Sequence, residues 1–227
     1  LNNIFNIAFR ILTFRITAEE ISSFTNKHLA PGIAGTWLVG IGRYWDHPNA
    51  KPLQYAGLGS VIYIFILAAF IWLIVLPYKP ATWKYKTVLS YISLTSFPAV
   101  LYAIPVEKFM HIEAAASANA WFLLIVAAWR VGLLFNFLNK FKELQGYVST
   151  ITFLPLVIIV SSLSFLNLEK VVFNIMGGIR YTNAAYKAYD VLLFMTVVSV
   201  ILLLPFLGAY IYGIFDKKRP DSYRDKK

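Results

Sequence analysis

One cation falls well inside an apolar run. Arg130 lies ten residues before Lys140, so at the helical rise of 1.5 Å it sits about 15 Å from that basic anchor. A lone guanidinium at this depth costs about 2.5 kcal/mol or more on insertion scales, and it calls for a partner. Three neighbouring runs carry a proline at similar depth: Pro98, Pro155 and Pro205 are twelve or thirteen residues from Lys86, Lys142 and Lys217. A proline within a helix has no amide proton and frees the carbonyl four residues earlier, here those of Leu94, Ile151 and Ile201. Arg130 is therefore expected to point into a bundle and donate to these carbonyls, with Thr95 and Ser96 as further acceptors. No Asp or Glu occupies the middle of an apolar run. The same position is thus also a candidate for an anion, such as a lipid phosphate from the cytoplasmic leaflet. A lipid-facing Arg that snorkels is the third reading.

Other residue types give weaker signals. His28, His47 and His111 share no metal-ligand spacing and read as interfacial polar residues, so no metal or other cofactor is expected. Glu107 and Glu113 are six apart, on different helical faces, and make a poor catalytic pair. Phosphate-binding loops, nucleophile elbows and zinc-protease signatures are absent from the chain. It also has no Cys, which removes disulfides and thiolate chemistry. No catalytic residue is expected. A polar path would need the hydroxyls at Ser90, Ser93, Thr95, Ser96, Ser149, Thr150, Thr152, Ser161, Ser162 and Ser164, but such groups more often bond to their own helix.

The elements that must carry these residues follow from composition. The chain is 59% hydrophobic and 14% charged, with a mean hydropathy of +0.63, which is outside the soluble range. Apolar runs at 55–76, 87–106, 119–138, 147–168 and 188–214 each exceed the roughly 20 helical residues needed to cross hydrocarbon. They are continuously apolar and lack the alternation of barrel strands, so helix is the spanning form. A sixth candidate at 28–45 is uninterrupted only over 29–41, a length that fits a re-entrant segment or an interfacial helix almost as well. Ala30 and Ala34, then Thr36 and Gly40, recur four apart in it and would allow close packing.

Basic residues choose between five and six spans, because Lys and Arg stay cytoplasmic. With six spans the inner segments hold Arg10, Arg15, Lys27, Lys79, Lys84, Lys86, Lys140, Lys142, Lys217, Lys218, Arg219, Arg224, Lys226 and Lys227, fourteen in all. The outer ones hold six: Arg43, Lys51, Lys108, Lys170, Arg180 and Lys187. Five spans would spoil this asymmetry. The expected fold class is all-α, a polytopic transmembrane helix bundle of about six spans over 28–215. A cytoplasmic interfacial region precedes it at 1–27, and a basic cytoplasmic tail follows at 216–227. In the first region Asn3, Asn6, Arg10, Thr13, Thr17 and Glu20 form a polar stripe on an otherwise apolar segment, the pattern of an amphipathic helix in the headgroup plane. Thr17 and Glu20 fit a capping box that would open a second helix from 18 to about 27. Arg10, Arg15, Lys217, Lys218 and Arg219 are the candidate lipid headgroup contacts. The formal charge of +10 is read as topology and lipid contact, with no nucleic-acid partner.

The run WKYKTVLSY at 83–91, continuing through Pro98 to Pro105, resembles the middle of the Yip family of polytopic Golgi and bacterial membrane proteins. Trp129, Arg130, Val131 and Gly132, followed by Lys140, Gly146 and Pro155, are similar to that family's next two spans. The resemblance covers about 55–168 and implies a non-enzymatic membrane organiser with cytoplasmic partners. The expected function is a non-catalytic scaffold or adaptor of a bacterial inner membrane, homo-oligomeric or a subunit of a membrane complex. Its basic cytoplasmic face would meet a soluble protein partner or anionic membrane lipids. The alternative is a small-solute or ion transporter or channel.

Overall fold

A computed structural model describes residues 2–45, 50–168 and 184–218 of the chain. Among the described residues all regular structure is helical. The helices are α1 (Asn2–Leu12), α2 (Ala18–Ser22), α3 (Asn26–Gly42), α4 (Pro52–Tyr55), α5 (Leu58–Val75), α6 (Tyr85–Leu94), α7 (Ile112–Leu138), α8 (Val148–Phe165) and α9 (Ala184–Lys218). Tighter 3-10 turns lie at Leu76–Tyr78, Phe97–Ala103, Val106–Lys108 and Lys142–Leu144. Among the described residues five stretches are long and apolar enough to cross a membrane: Leu58–Tyr78, Tyr85–Lys108, Glu113–Leu138, Val148–Phe165 and Leu193–Lys217. They match the five long apolar runs to within a few residues. Tyr85–Lys108 is the central one, with 56% of its most apolar window buried, whereas Leu193–Lys217 is peripheral at 6%.

The central stretch is not one helix. α6 stops at Leu94 because Pro98 has no amide to offer its carbonyl. Thr95 Oγ1 and Ser96 Oγ then donate to the Ile92 carbonyl at 2.8 and 3.4 Å, competing with the next α-helical turn. The chain continues in 3-10 form. Pro155 and Pro205, by contrast, sit inside unbroken α8 and α9.

α3 packs between α5 and α6 along a stripe of small residues. Gly32, Thr36 and Gly40 are buried. A Cβ on Gly32 would collide with Ser93, and one on Gly40 would lie 2.7 Å from the Gly57 carbonyl oxygen. Thr36 Oγ1 donates to the carbonyls of Gly32 and Ser93 at 2.9 and 3.2 Å. Thr36 and Gly40 pack as the four-residue spacing predicts, but their companion is Gly32; Ala30 and Ala34 lie exposed on other faces.

Cross-contacts give the direction of each helix. α3 and α6 run the same way, since Gly32 meets Ser93 and Gly42 meets Ala103. α5 runs against α3, with Gly40 on Gly57 and Ser60. α7 runs against α6: Tyr91 Oη donates to the Leu133 carbonyl at 2.8 Å, and Phe137 stacks near Trp83. α9 runs against α8, with Phe153 on Phe206 and Tyr147 on Asp216. Short connections join α5 to α6 and α7 to α8, so α3, α5, α6, α7, α8 and α9 alternate in direction. The two connections and the end of α9 therefore meet at one end of the bundle, here called the Lys-rich end.

The N-terminal segment packs onto this bundle. Ile7, Ala8 and Ile11 of α1, with Ile16, Ile21 and Phe24, join one core with Tyr91, Leu133, Phe137 and Ile151. Phe5 and Phe9 stay on the outside, 67% and 59% exposed. Phe14 takes a left-handed backbone, φ 62°, and reverses the chain after α1. This fold-back lets Arg10 pair with Glu20 at 3.1 Å. The polar stripe is thus assembled across a turn and not along one helix. Thr17 and Glu20 form the capping box, but α2 ends at Ser22, because the Thr25 amide donates to His28 Nδ1 at 3.1 Å and begins α3.

Candidate functional site

Arg130 projects from α7 and is half-buried. Its guanidinium carbon lies 5.6 Å from the centre of the Tyr63 ring, on α5. Arg43, which caps the end of α3, places its own over Tyr102 at 4.7 Å. The Tyr102 hydroxyl lies within electrostatic range of Arg43, Arg130 and Tyr63. These four side chains therefore converge from α3, α5, the 3-10 stretch after α6, and α7. Side chains on a helix lean toward its N-terminus, and that of α7 is the end away from Lys140. Arg130 accordingly reaches away from the Lys-rich end.

The expected proline carbonyls do not receive it. Among the described residues Arg130 makes no hydrogen bond to the carbonyls of Leu94, Ile151 or Ile201 and no ion pair. Thr95 and Ser96, the further acceptors expected, take no bond from it either; their hydroxyls donate to the Ile92 carbonyl. Pro155 and Pro205 lie on α8 and α9, which pack on each other, whereas α5 and residues 97–103 face Arg130. Ring faces replace carbonyls as the partners of the charge. Tyr63, Tyr102 and Arg43 were not foreseen, because a cation over a ring has no signature in residue spacing; similar depth on neighbouring spans was the one clue.

A second cluster closes the Lys-rich end. Tyr78 Oη donates to the Tyr210 carbonyl at 3.1 Å, and Tyr210 Oη donates to the Ile74 carbonyl at 2.7 Å. Tyr147 Oη donates to the Asp216 carboxylate. The Tyr78 ring packs 5.4 Å from Tyr147 and 5.7 Å from Tyr210. Gly213 is required between them, since a Cβ there would lie 2.6 Å from the Tyr78 oxygen. Glu143 Oε1 accepts from the Ala81 amide at 3.2 Å. Bonds from its own amide and that of Ala81, helped by Lys217 and Lys142, hold its carboxyl below the usual carboxylate range. Around this cluster Lys79, Lys84, Lys86 and Lys142 are exposed, with Lys140 and Lys217 half-buried. Of the other headgroup candidates, Arg10 is held by Glu20 and donates to the Arg15 carbonyl at 3.1 Å. Arg15 is exposed. The side chain of Lys218, Arg219 and the rest of the tail lie outside the described residues.

His28 is buried against Phe24, with ring centres 5.4 Å apart. His111 stands at the N-terminal boundary of α7 without a capping bond from its side chain, and His47 lies outside the described residues. Asn119 Nδ2 donates to Glu107 at 2.7 Å. Among the described residues no group of three His, Asp or Glu could hold a metal ion. An apolar groove of about 220 Å³ runs between α8 and α9, with Phe153, Val157, Phe194, Val198 and Phe206 in its walls. No protein-family model, curated protein or solved structure matches this chain.

Proposed function

We propose that the chain is a non-catalytic scaffold of a bacterial inner membrane, crossing the bilayer six times with both termini cytoplasmic, and that its Lys-rich end engages anionic lipid headgroups. The observation that carries this reading is the state of the interior hydroxyls. Thr36, Ser93, Thr95, Ser96 and Thr152 are buried and donate to carbonyls of their own helices, Gly32, Ser90, Ile92 and Val148. Hydroxyls used in this way belong to a packed interior and not to a wet path. The sixth crossing is supported by α3, whose 17 residues give about 25 Å of helix and whose place in the alternation would otherwise be vacant. Basic residues then favour the cytoplasm for the Lys-rich end. The exposed flank of α9 is available for self-association, and the Yip-family resemblance points to the same organiser role.

A transporter is the second reading. It is favoured by the break of the central helix after Leu94, a device of transporter binding sites, and by the Ser90 and Ser161 hydroxyls, buried without partners among the described residues. Native mass spectrometry of the detergent-purified chain titrated with phosphatidylglycerol or phosphatidylcholine tests the scaffold reading. Phosphatidylglycerol should be retained preferentially, and the quadruple Lys79, Lys84, Lys86, Lys142→Gln variant should lose most of that preference. Equal retention of both lipids by the unmodified protein, or solute flux above background in proteoliposomes, would overturn it.

A further inference from the structure

Arg130 is left with more bonding capacity than Tyr63 can use. A ring takes the flat face of a guanidinium, while its five N–H bonds point outward in the guanidinium plane. None of them meets an acceptor among the described residues. The hydroxyls of Tyr63 and Tyr102 have no hydrogen-bond partner among the described residues either. Two cation–ring pairs, Arg130 over Tyr63 and Arg43 over Tyr102, therefore lie within electrostatic range of each other across α5, α7 and residues 97–103.

The surroundings narrow what could enter. Tyr63 is 41% exposed, so the group opens sideways and not only into the bundle. Its borders are apolar and outward-facing: Ile62, Ile66, Val100 and Ile104 are all exposed large hydrophobics. Donors in a fork, two positive charges and apolar flanks together suit a tetrahedral oxyanion that carries hydrocarbon. Arg matches such an oxyanion bidentately, and low surrounding polarity strengthens each bond.

We propose that Arg130, Arg43, Tyr102 and Tyr63 form a phosphate-binding site on the flank of the bundle, which takes the headgroup phosphate of a lipid in the leaflet opposite the Lys-rich end. The site rests on the membrane-spanning reading but is independent of the lysines, which lie at the other end of α7. It also reverses the direction expected from sequence, in which an anion would approach Arg130 from the cytoplasmic side.

Lipid retention and thermal midpoint of the full chain in neutral detergent would be measured with phosphatidylglycerol, phosphatidylcholine and inorganic phosphate. Phosphatidylglycerol should raise the midpoint of the unmodified protein. Arg130→Gln should weaken its retention by about tenfold, the loss of one charge-assisted bond pair, and Tyr102→Phe should weaken it less. The quadruple lysine variant should keep the part of the shift that Arg130→Gln removes, which separates failure of this site from failure of the scaffold reading. If inorganic phosphate reproduces the shift and Arg130→Gln abolishes it, the phosphate chemistry stands but the lipid source is overturned. Should Arg130→Gln fail to purify as a single species, Arg43→Gln and Tyr102→Phe carry the test. An unchanged lipid shift in both would overturn the site.

Discussion

Replacing Gly40 by Ala tests whether α3 is seated on α5. The added Cβ would lie 2.7 Å from the Gly57 carbonyl oxygen and 2.8 Å from Ser60 Oγ. Ser60 can rotate away, but the Gly57 carbonyl belongs to the backbone and cannot, so α3 must shift. Overpacking of this kind costs about 1–3 kcal/mol, and the better helix propensity of Ala returns about 1. With a fixed backbone oxygen in the way the cost falls in the upper part of that range, so the expected net loss is about 1–2 kcal/mol, or roughly 2–8 °C in melting temperature for a chain of this length. Gly57→Ala should be worse. Its Cβ would meet both the Ile41 nitrogen and the Trp37 oxygen at 2.7 Å, φ is +66°, and no helix propensity is regained, so about 2–4 kcal/mol is expected. Gly208, in α9, has nothing within 4 Å of the same construction, so Gly208→Ala should be neutral or stabilising. Thermal melts of the three variants in one mild detergent, read by intrinsic Trp fluorescence, would decide. Gly40→Ala and Gly57→Ala melting at or above the parent would refute the packing of α3 described here.

The remaining expectations concern the Lys-rich end and topology. Tyr147→Phe and Asp216→Asn should each lower stability by about 1.5–3 kcal/mol, as expected for a hydrogen bond to a charged group, and a double-mutant cycle that shows no coupling would contradict the pair. The Glu143 carboxyl is held below its ordinary value of 4.5, so its stabilisation is complete above that pH and is lost as pH falls through the lower folded value. Melts of the parent and Glu143→Gln should therefore converge on acidification below about pH 4, and parallel curves from pH 7 to 3 would rule this out. Because the chain lacks Cys, single Cys residues placed at Lys142 and Lys108 report sidedness without background. An impermeant thiol reagent added to intact cells should label the second and spare the first.

The spans were legible because a hydrocarbon crossing demands a long apolar run, and hydropathy records that demand directly. What hydropathy does not record is what lies beside each run. The 87–106 stretch reads as one span, yet Pro98, with Thr95 and Ser96 bonding back to Ile92, divides it. Its proline was visible, but so were Pro155 and Pro205, which leave their helices unbroken. Local sequence does not separate these prolines, since Thr152 stands three residues before Pro155, as Thr95 does before Pro98, and also donates back along its own helix. Small residues in α3 were recognised at Thr36 and Gly40, while Ala30 and Ala34 were grouped with them; only the positions of α5 and α6 select Gly32 instead. The depth of Arg130 was legible and its partners were not, since Tyr63 and Tyr102 come from segments 67 and 28 residues away in the chain. The capping box at Thr17 and Glu20 was read correctly because all of its atoms are local.

The position of α3 bears on how the protein is made. Its stripe is covered on one side by α5 and on the other by α6, and the Thr36 hydroxyl waits for a carbonyl 57 residues further along. A helix of 17 residues with Pro31 in it must therefore pass through synthesis before its lateral partners exist. On the six-span reading, Gly32 and Thr36 face lipid with backbone poorly shielded by side chains until residue 93 has emerged. On that reading insertion order and final packing order differ: α3 is translated before α5 and α6 but locked only after both. A truncation that ends before α6 would leave the Gly32 and Thr36 face of α3 without its partner, and the N-terminal segment built on it would lose its anchor as well.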